Sequence, residues 1–316
     1  RSLVFAAEPD SMWNIYTISI DRKEEPYFYA STVLKQETIV ANNEESFQPS
    51  YSPDGKEIAY LENRVILKVI NLASKQSRTI LPADKNYSYA DGDQYYQWSP
   101  DSKWFLVSFG QKERVMSSEV GLISADGKGA LTNLTQSGYE DFLPRWAMDG
   151  KLMYWGSTRD GQKMQAGYPA SFDVYAMFFS KESFDRFKLS KEDFELLKEQ
   201  EEKNKAQKDS ASTVKTTDKK DKKKEKIITD TANKKKDIVF DWENLTDRKL
   251  RITTHTSNMG DMVLSKDGEK LYYMAAFESG YDLWVTDLRK KDAKLLGKFG
   301  VNSASLELSA DGKNLF

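Results

Sequence analysis

The stretch YSPDGKEIAY, Tyr51 to Tyr60, recurs along the chain. WSPDSKWFLV starts at Trp98, WAMDGKLMYW at Trp146, LSKDGEKLYY at Leu264 and LSADGKNLF at Leu308. Aligned on Asp54, Asp101, Asp149, Asp267 and Asp311, the copies stand 47, 48, 118 and 44 residues apart. A period of about 40–50 residues built from short apolar runs and turns means stacked β units. Pro53 presets φ, Asp54 bonds amides ahead of it and Gly55 turns left-handed, which predicts a hairpin turn with a glycine bulge. Ser102 takes the glycine position in the second copy, so that turn is expected to be strained or differently closed.

Each turn leads into an almost continuous apolar strand, such as Trp104 to Val107 or Leu152 to Trp155, as expected of strands packed on both faces. A third strand follows at Val65 to Ile70, Val120 to Ser124, Asp173 to Phe179 and Asp282 to Thr286. A fourth is predicted at Arg78 to Ile80, Leu131 to Leu134, Arg251 to Thr253 and Lys294 to Leu296. Four antiparallel strands per repeat define a propeller blade. The predicted fold is an all-β propeller of four-stranded antiparallel blades, about five to six of them represented. One partial blade spans 1–46 and whole blades span 47–93, 94–141, 142–258 and 259–302. A second partial blade spans 303–316. Leu3 to Ala6, Trp13 to Ile18 and Thr38 to Val40 match second, third and fourth strands, so the first blade lacks its inner strand. Either residues 303–316 supply that strand and close five blades, or the sequence is truncated at both ends. The second reading is favoured, because chain termini rarely fall inside core strands.

The long step of 118 holds an insertion at 181–237, with 18 basic and 14 acidic residues. Its first part predicts one or two helices, with Ser190 and Asp193 placed as a capping box and Phe184, Phe187, Phe194 and Leu197 as apolar edges. Those edges are expected to dock on the rim. From about Lys203 to Lys236 the composition predicts a solvated, disordered loop. Outside the insertion 29 basic residues face 35 acidic ones, which argues against nucleic-acid binding. The chain has no cysteine, which removes disulfides, thiolate metal sites and a cysteine nucleophile. No apolar run approaches the length of a membrane span.

Candidate chemistry is sparse. His255 is the one histidine, so any Ser-His-Asp triad has to use it, yet it lies in the polar connection Thr253 to Thr256. The turn Ala125 to Gly129 and the pair Asp91 and Asp93 resemble cation or phosphate loops but lack further ligands, and both read as loops. No catalytic residue, metal site or cofactor is expected. The positions that precede the repeat's aromatic are Ser50, Gln97, Arg145 and Glu307, with Val263 as the exception. A polar residue at a fixed place on the innermost strand either lines the axial channel or satisfies itself between blades, and the second is the expected role.

The repeats resemble the WD-type blades of the TolB and tricorn families. NYSYADGDQYYQWSPDSKWFLVSF, SSEVGLISADGKGALTNLTQSGYEDFLPRW, SFDVYAMFFSKESFDRFKLSKEDFELLKEQEEK and FDWENLTDRKLRITTHTSNMGD resemble the second propeller of tricorn-like serine peptidases, notably those of Bacteroidota. The resemblance implies a non-catalytic propeller that guides or filters peptides or unfolded polypeptide. A PDZ domain and a catalytic region of the C-terminal-processing type would lie beyond it. It further implies contacts with those domains, homo-oligomers, and a periplasmic or cytosolic setting. A TolB-like interaction propeller is the competing reading. A prolyl-oligopeptidase-type hydrolase would need a G-x-S-x-G elbow, which the sequence lacks.

Overall fold

The computed structural model describes all residues except 1, 10, 23, 26, 86–93, 112, 113, 162–170 and 214–235. Its strands form five antiparallel sheets, each built from consecutive segments. Sheet one holds β1 (Ser2–Ala7), β2 (Asn14–Ile20) and β3 (Leu34–Val40). Sheet two holds β4 (Ser46–Tyr51), β5 (Glu57–Glu62), β6 (Ile66–Asn71) and β7 (Ser77–Leu81). Sheet three runs from β8 (Tyr96–Trp98) through β9 (Trp104–Gln111) and β10 (Arg114–Ser124) to β11 (Thr132–Asn133). Sheet four runs from β12 (Asp141–Ala147) through β13 (Leu152–Ser157) and β14 (Asp173–Phe178) to β15 (Lys249–Arg251). Sheet five comprises β16 (Asn258–Leu264), β17 (Lys270–Ala276), β18 (Tyr281–Asp287) and β19 (Asp292–Val301).

The apolar runs explain how the sheets stack. Side chains alternate across a strand, so a run apolar at every position offers two greasy faces. In sheet three, Phe105, Val107 and Ile123 pack with Leu61, Val69 and Leu81 of sheet two. Their neighbours Leu106, Val120 and Leu122 pack the other way, with Met153, Trp155 and Met177 of sheet four. Leu152, Tyr154 and Val174 of sheet four meet Met262, Leu271 and Tyr273 of sheet five. Ile15 and Val40 of sheet one meet Ile58 and Tyr60 of sheet two. Sheets two, three and four therefore each share one core with the sheet before and another with the sheet after, while sheets one and five each share a core with a single neighbour.

The turns follow their residues. Ser52 Oγ donates to Asp54 Oδ1 (2.7 Å), which accepts the Lys56 N–H (3.2 Å), while the Ser52 hydroxyl accepts the Glu57 N–H (3.0 Å). The same three bonds recur at Ser99 and Asp101, at Ser265 and Asp267, and at Ser309 and Asp311. Gly55, Gly268 and Gly312 have φ near +70° (71°, 74° and 72°), and Ser102 adopts the same left-handed backbone at φ 63°. Its hydroxyl is used across the seam, accepting the Asp54 N–H at 3.1 Å.

Two expectations need correction, and the less favoured ring-closing alternative for residues 303–316 is not what the structure shows. The fourth strand of sheet four ends at Arg251 and not at Thr253, because the Thr253 hydroxyl takes the Val174 N–H in place of ladder pairing. Residues 303–316 do not join sheet one. They fold on themselves, with Glu307 and Phe316 exchanging backbone bonds of 2.9 and 3.1 Å. The segment from Lys203 is not loop at its start. Helix α1 spans Lys181–Lys188, and α2 spans Lys191–Thr213, extended by Ala, Gln and Lys residues and by pairs such as Glu199–Lys203 (3.9 Å). The rest of the expected disordered loop, 214–235, lies outside the described residues.

The insertion docks at both ends. Ser180 and Ser190 cap the two helices, accepting the N–H of Ser183 (3.2 Å) and of Asp193 (3.1 Å), and Ser190 donates to Asp193 Oδ2 (2.9 Å). Phe184 and Phe187 pack on Phe178, with ring centroids 5.6 and 4.9 Å apart. Arg289 of sheet five donates to the Phe187 and Leu189 carbonyls (3.2 and 2.9 Å) and covers the Phe194 ring at 3.6 Å. On the return, Ile238 N–H bonds Asp101 Oδ2 (2.9 Å), and Phe240 wedges between Trp104 and Phe179. An insertion carried by sheet four thus touches sheets three and five.

Candidate functional site on the inner strands

Three of the four positions singled out from sequence lie on first strands: Ser50 on β4, Gln97 on β8 and Arg145 on β12. Ser50 on β4 donates through Oγ to the Tyr96 hydroxyl (3.3 Å), and its carbonyl accepts the Trp98 indole N–H (3.4 Å). Tyr96 donates in turn to the carbonyls of Gln48 and Ala59. Burial pushes its phenol far above the usual range, so it stays a donor. One sheet on, Gln97 Oε1 accepts the Trp146 backbone N–H (2.9 Å), and the Gln97 carbonyl accepts the Trp146 indole N–H (3.4 Å). The repeat's tryptophan has the same duty twice: its ring fills the seam while its indole N–H reaches the previous sheet.

Arg145 on β12 carries the strongest contact. Its guanidinium pairs with Asp261 Oδ1 (2.7 Å) and donates to the Met262 carbonyl on sheet five. Burial opposes its charge, but the phenols of Tyr154 and Tyr95 and the Asp261 carboxylate outweigh this and hold it above its ordinary value. Asp261 also accepts the N–H of Met262 and of Leu306, each at 2.7 Å. Glu307 is placed differently. Its carboxylate is exposed, and its backbone closes the hairpin with Phe316. Ser50, Gln97 and Arg145 therefore form successive rungs from one sheet to the next, and Glu307 does not join them.

Asp261, Tyr95 and Tyr154 were not singled out from sequence. Asp261 stands two residues before Val263, the odd position in the pattern. The ladder slips between Met259 and Asp261, as it does between Phe47 and Ser50 and between Phe142 and Arg145. Gln48 and Leu143 sit in those slips with φ of 46° and 51°. A bulge that re-aims side chains breaks a count by twos, which is why the acidic partner fell out of register. An acidic residue beside the one apolar exception was the available signal.

His255 is engaged with neutral neighbours. Nδ1 faces the Thr254 hydroxyl (3.1 Å) and Nε2 the Tyr273 hydroxyl (3.2 Å), with Phe277 packed at 5.1 Å. Burial lowers its pKa, against the pull of Asp173. Asp173 itself is committed to Arg251, Thr253 and Thr256. The Ala125–Gly129 segment is a hairpin turn in which Asp126 Oδ1 accepts the Lys128 N–H (2.9 Å), and that bond holds the carboxyl below its usual range. Asp91 and Asp93 lie outside the described residues. Among the described residues, no cluster of three or more His, Asp or Glu has metal-site geometry, and no helix is long and apolar enough to cross a membrane.

Consecutive four-stranded meanders that share alternate cores define the chain as a β-propeller region. Comparison with known proteins agrees. The chain superimposes on tricorn protease with TM-score 0.60 at 12% identity, covering 99% of this chain and 27% of that one. On TolB from Acinetobacter baumannii the TM-score is 0.50 at 13% identity, covering 99% of this chain and 56% of that one. In sequence, 108 residues are 32% identical to a protein of Sulfurisphaera tokodaii described as a tricorn-like protease C-terminal subunit. That match spans 34% of this chain and 12% of the relative. No protein-family model matches the chain. The propeller has a tricorn-like protease homologue and the fold of the tricorn and TolB propellers.

Proposed function

We propose that this propeller is a non-catalytic part of a tricorn-like serine peptidase, guiding or filtering peptides toward a catalytic domain elsewhere in that protein. The observation that carries it is the stretch of 108 residues 32% identical to a tricorn-like protease subunit. The inner strands support the reading. They hold hydroxyl, amide, guanidinium and carboxylate groups at Ser50, Gln97, Arg145 and Asp261, fixed between sheets. Rigid polar groups of this kind contact an extended backbone at little entropic cost. A periplasmic setting and contacts with the parent's other domains belong to the same proposal.

Photo-crosslinking an unfolded peptide to the purified chain, with the adducts mapped by mass spectrometry, tests it. Labels on 46–51, 96–98, 141–147 and 258–264, with no peptide cleavage, are expected. Labelling confined to the outer strands removes the guiding role. A TolB-like interaction propeller is the second reading, favoured by superposition over 99% of the chain. A parent reading frame with no peptidase region would select it.

A further inference from the structure

The docked helices do not lie flush on the sheets. Between them and the β12–β13 and β16–β17 turns is a cavity of about 420 Å³, within the range of small-molecule pockets. Met148, Phe187 and Phe194 give it an apolar surface. Its charged lining is balanced, four basic groups against four acidic ones.

Most of those charges are already spent. Arg289 is held by both oxygens of Glu269 (2.5 and 2.9 Å), and Arg186 by both oxygens of Glu201 (2.5 and 3.0 Å). Asp267 Oδ1 accepts the Ser265 hydroxyl (2.6 Å) and the Glu269 N–H (3.1 Å). Lys151, Lys198 and Glu182 remain, and among the described residues none of them has an ion-pair partner. Lys198 Nζ sits 4.5 Å from the Phe194 ring, so a positive charge is held at the apolar surface.

We propose that this cavity binds a small zwitterion, a free amino acid or a short unblocked peptide. Its carboxylate lies at Lys151 and Lys198, its ammonium at Glu182 and its apolar side chain against the half-buried Met148 and Phe187. A simple anion would meet Glu182 and Asp267, the two lining carboxylates held in no ion pair among the described residues, with no compensating charge of its own. A simple cation would meet the two lysines. A ligand carrying both charges leaves the balance of the walls intact. The site is independent of the role proposed for the inner strands, since a propeller with no peptide traffic would still hold it.

Calorimetric titration of the whole chain with leucyl-leucine, its N-acetyl form, its C-terminal amide and the doubly blocked form tests the assignment. Saturable binding of the unblocked peptide is expected, weakened about tenfold by either block, the value of one charge-assisted bond. The double variant Lys151→Met with Lys198→Met should bind the acid and the amide equally, and Glu182→Gln should bind the free and N-acetylated peptides equally. The proposal is overturned if the unblocked peptide shows no saturable binding. It also falls if blocking leaves affinity unchanged, or if the variants keep the discrimination of the unaltered chain.

Discussion

Sheets three and four follow the same four-strand plan yet treat their turns and outer edges differently. In sheet three the Ser99–Asp101 hydroxyl–carboxylate pair organises the first turn, and the outer strand is two residues long. In sheet four Ala147 stands where the serine would be, and the turn places Met148 and Asp149 left-handed at φ 50° and 54°. There the connection from β14 to β15 swells into two helices that lean on sheet five and a return that leans on sheet three. Both sheets nevertheless keep the same inner rung to the next sheet. The difference separates two duties. Inner strands and seams fix the order of the sheets, while turns and outer connections are free to vary. Lengthening an outer connection costs little, since loop-closure entropy grows only with the logarithm of length.

The largest effect should come from the shared seam. Trp155 is 1% exposed in the core between the two sheets, and its indole N–H donates to Asp141 (2.9 Å). Trp155→Ala is expected to cost about 3–5 kcal/mol in urea unfolding. A loss below about 1 kcal/mol would mean that the seam does not hold the sheets together.

Arg289 sharpens the contrast. Its side chain is 6% exposed and ties the helices to sheet five. Arg289→Met should cost about 2 kcal/mol, less than a fully buried pair, because Glu269 can regain water. Limited proteolysis should then cut within 181–213 while the sheets stay resistant. Unchanged protease resistance of the helices would show that they are held otherwise.

The smallest effect belongs to the turns. Ser99→Ala removes the acceptor of the Trp104 N–H and should cost about 1–2 kcal/mol. Ala147→Ser should stay within about 0.5 kcal/mol of the parent, since the left-handed Asp149 no longer meets a hydroxyl at that place. Equal and opposite changes at the two sites would erase the distinction between the turns.

Legibility in the sequence followed the range of the interactions. The repeated turn is closed by residues at most five apart, so its serines, aspartates and glycines announce it, and the left-handed Ser102 could be named in advance. The stacking was readable because a strand apolar on both faces must be covered twice. The cap at Ser190 and the docking of Phe184 and Phe187 were readable for the same local reasons. Arg289 was not, because its partners Glu269, Phe187 and Phe194 are brought to it by folding. Asp261 was hidden by a bulge, and the full length of α2 by an apolar-poor composition that suits a solvated helix as well as a loop.

Arg145 and Asp261 lie 116 residues apart in sequence and 2.7 Å apart across the inner strands of sheets four and five. A double-mutant cycle with Arg145→Met and Asp261→Asn, read from urea unfolding, asks whether those strands are neighbours. Adjacent sheets bonded at their inner strands predict a coupling of about 1–3 kcal/mol. Additivity within about 0.3 kcal/mol would contradict the arrangement.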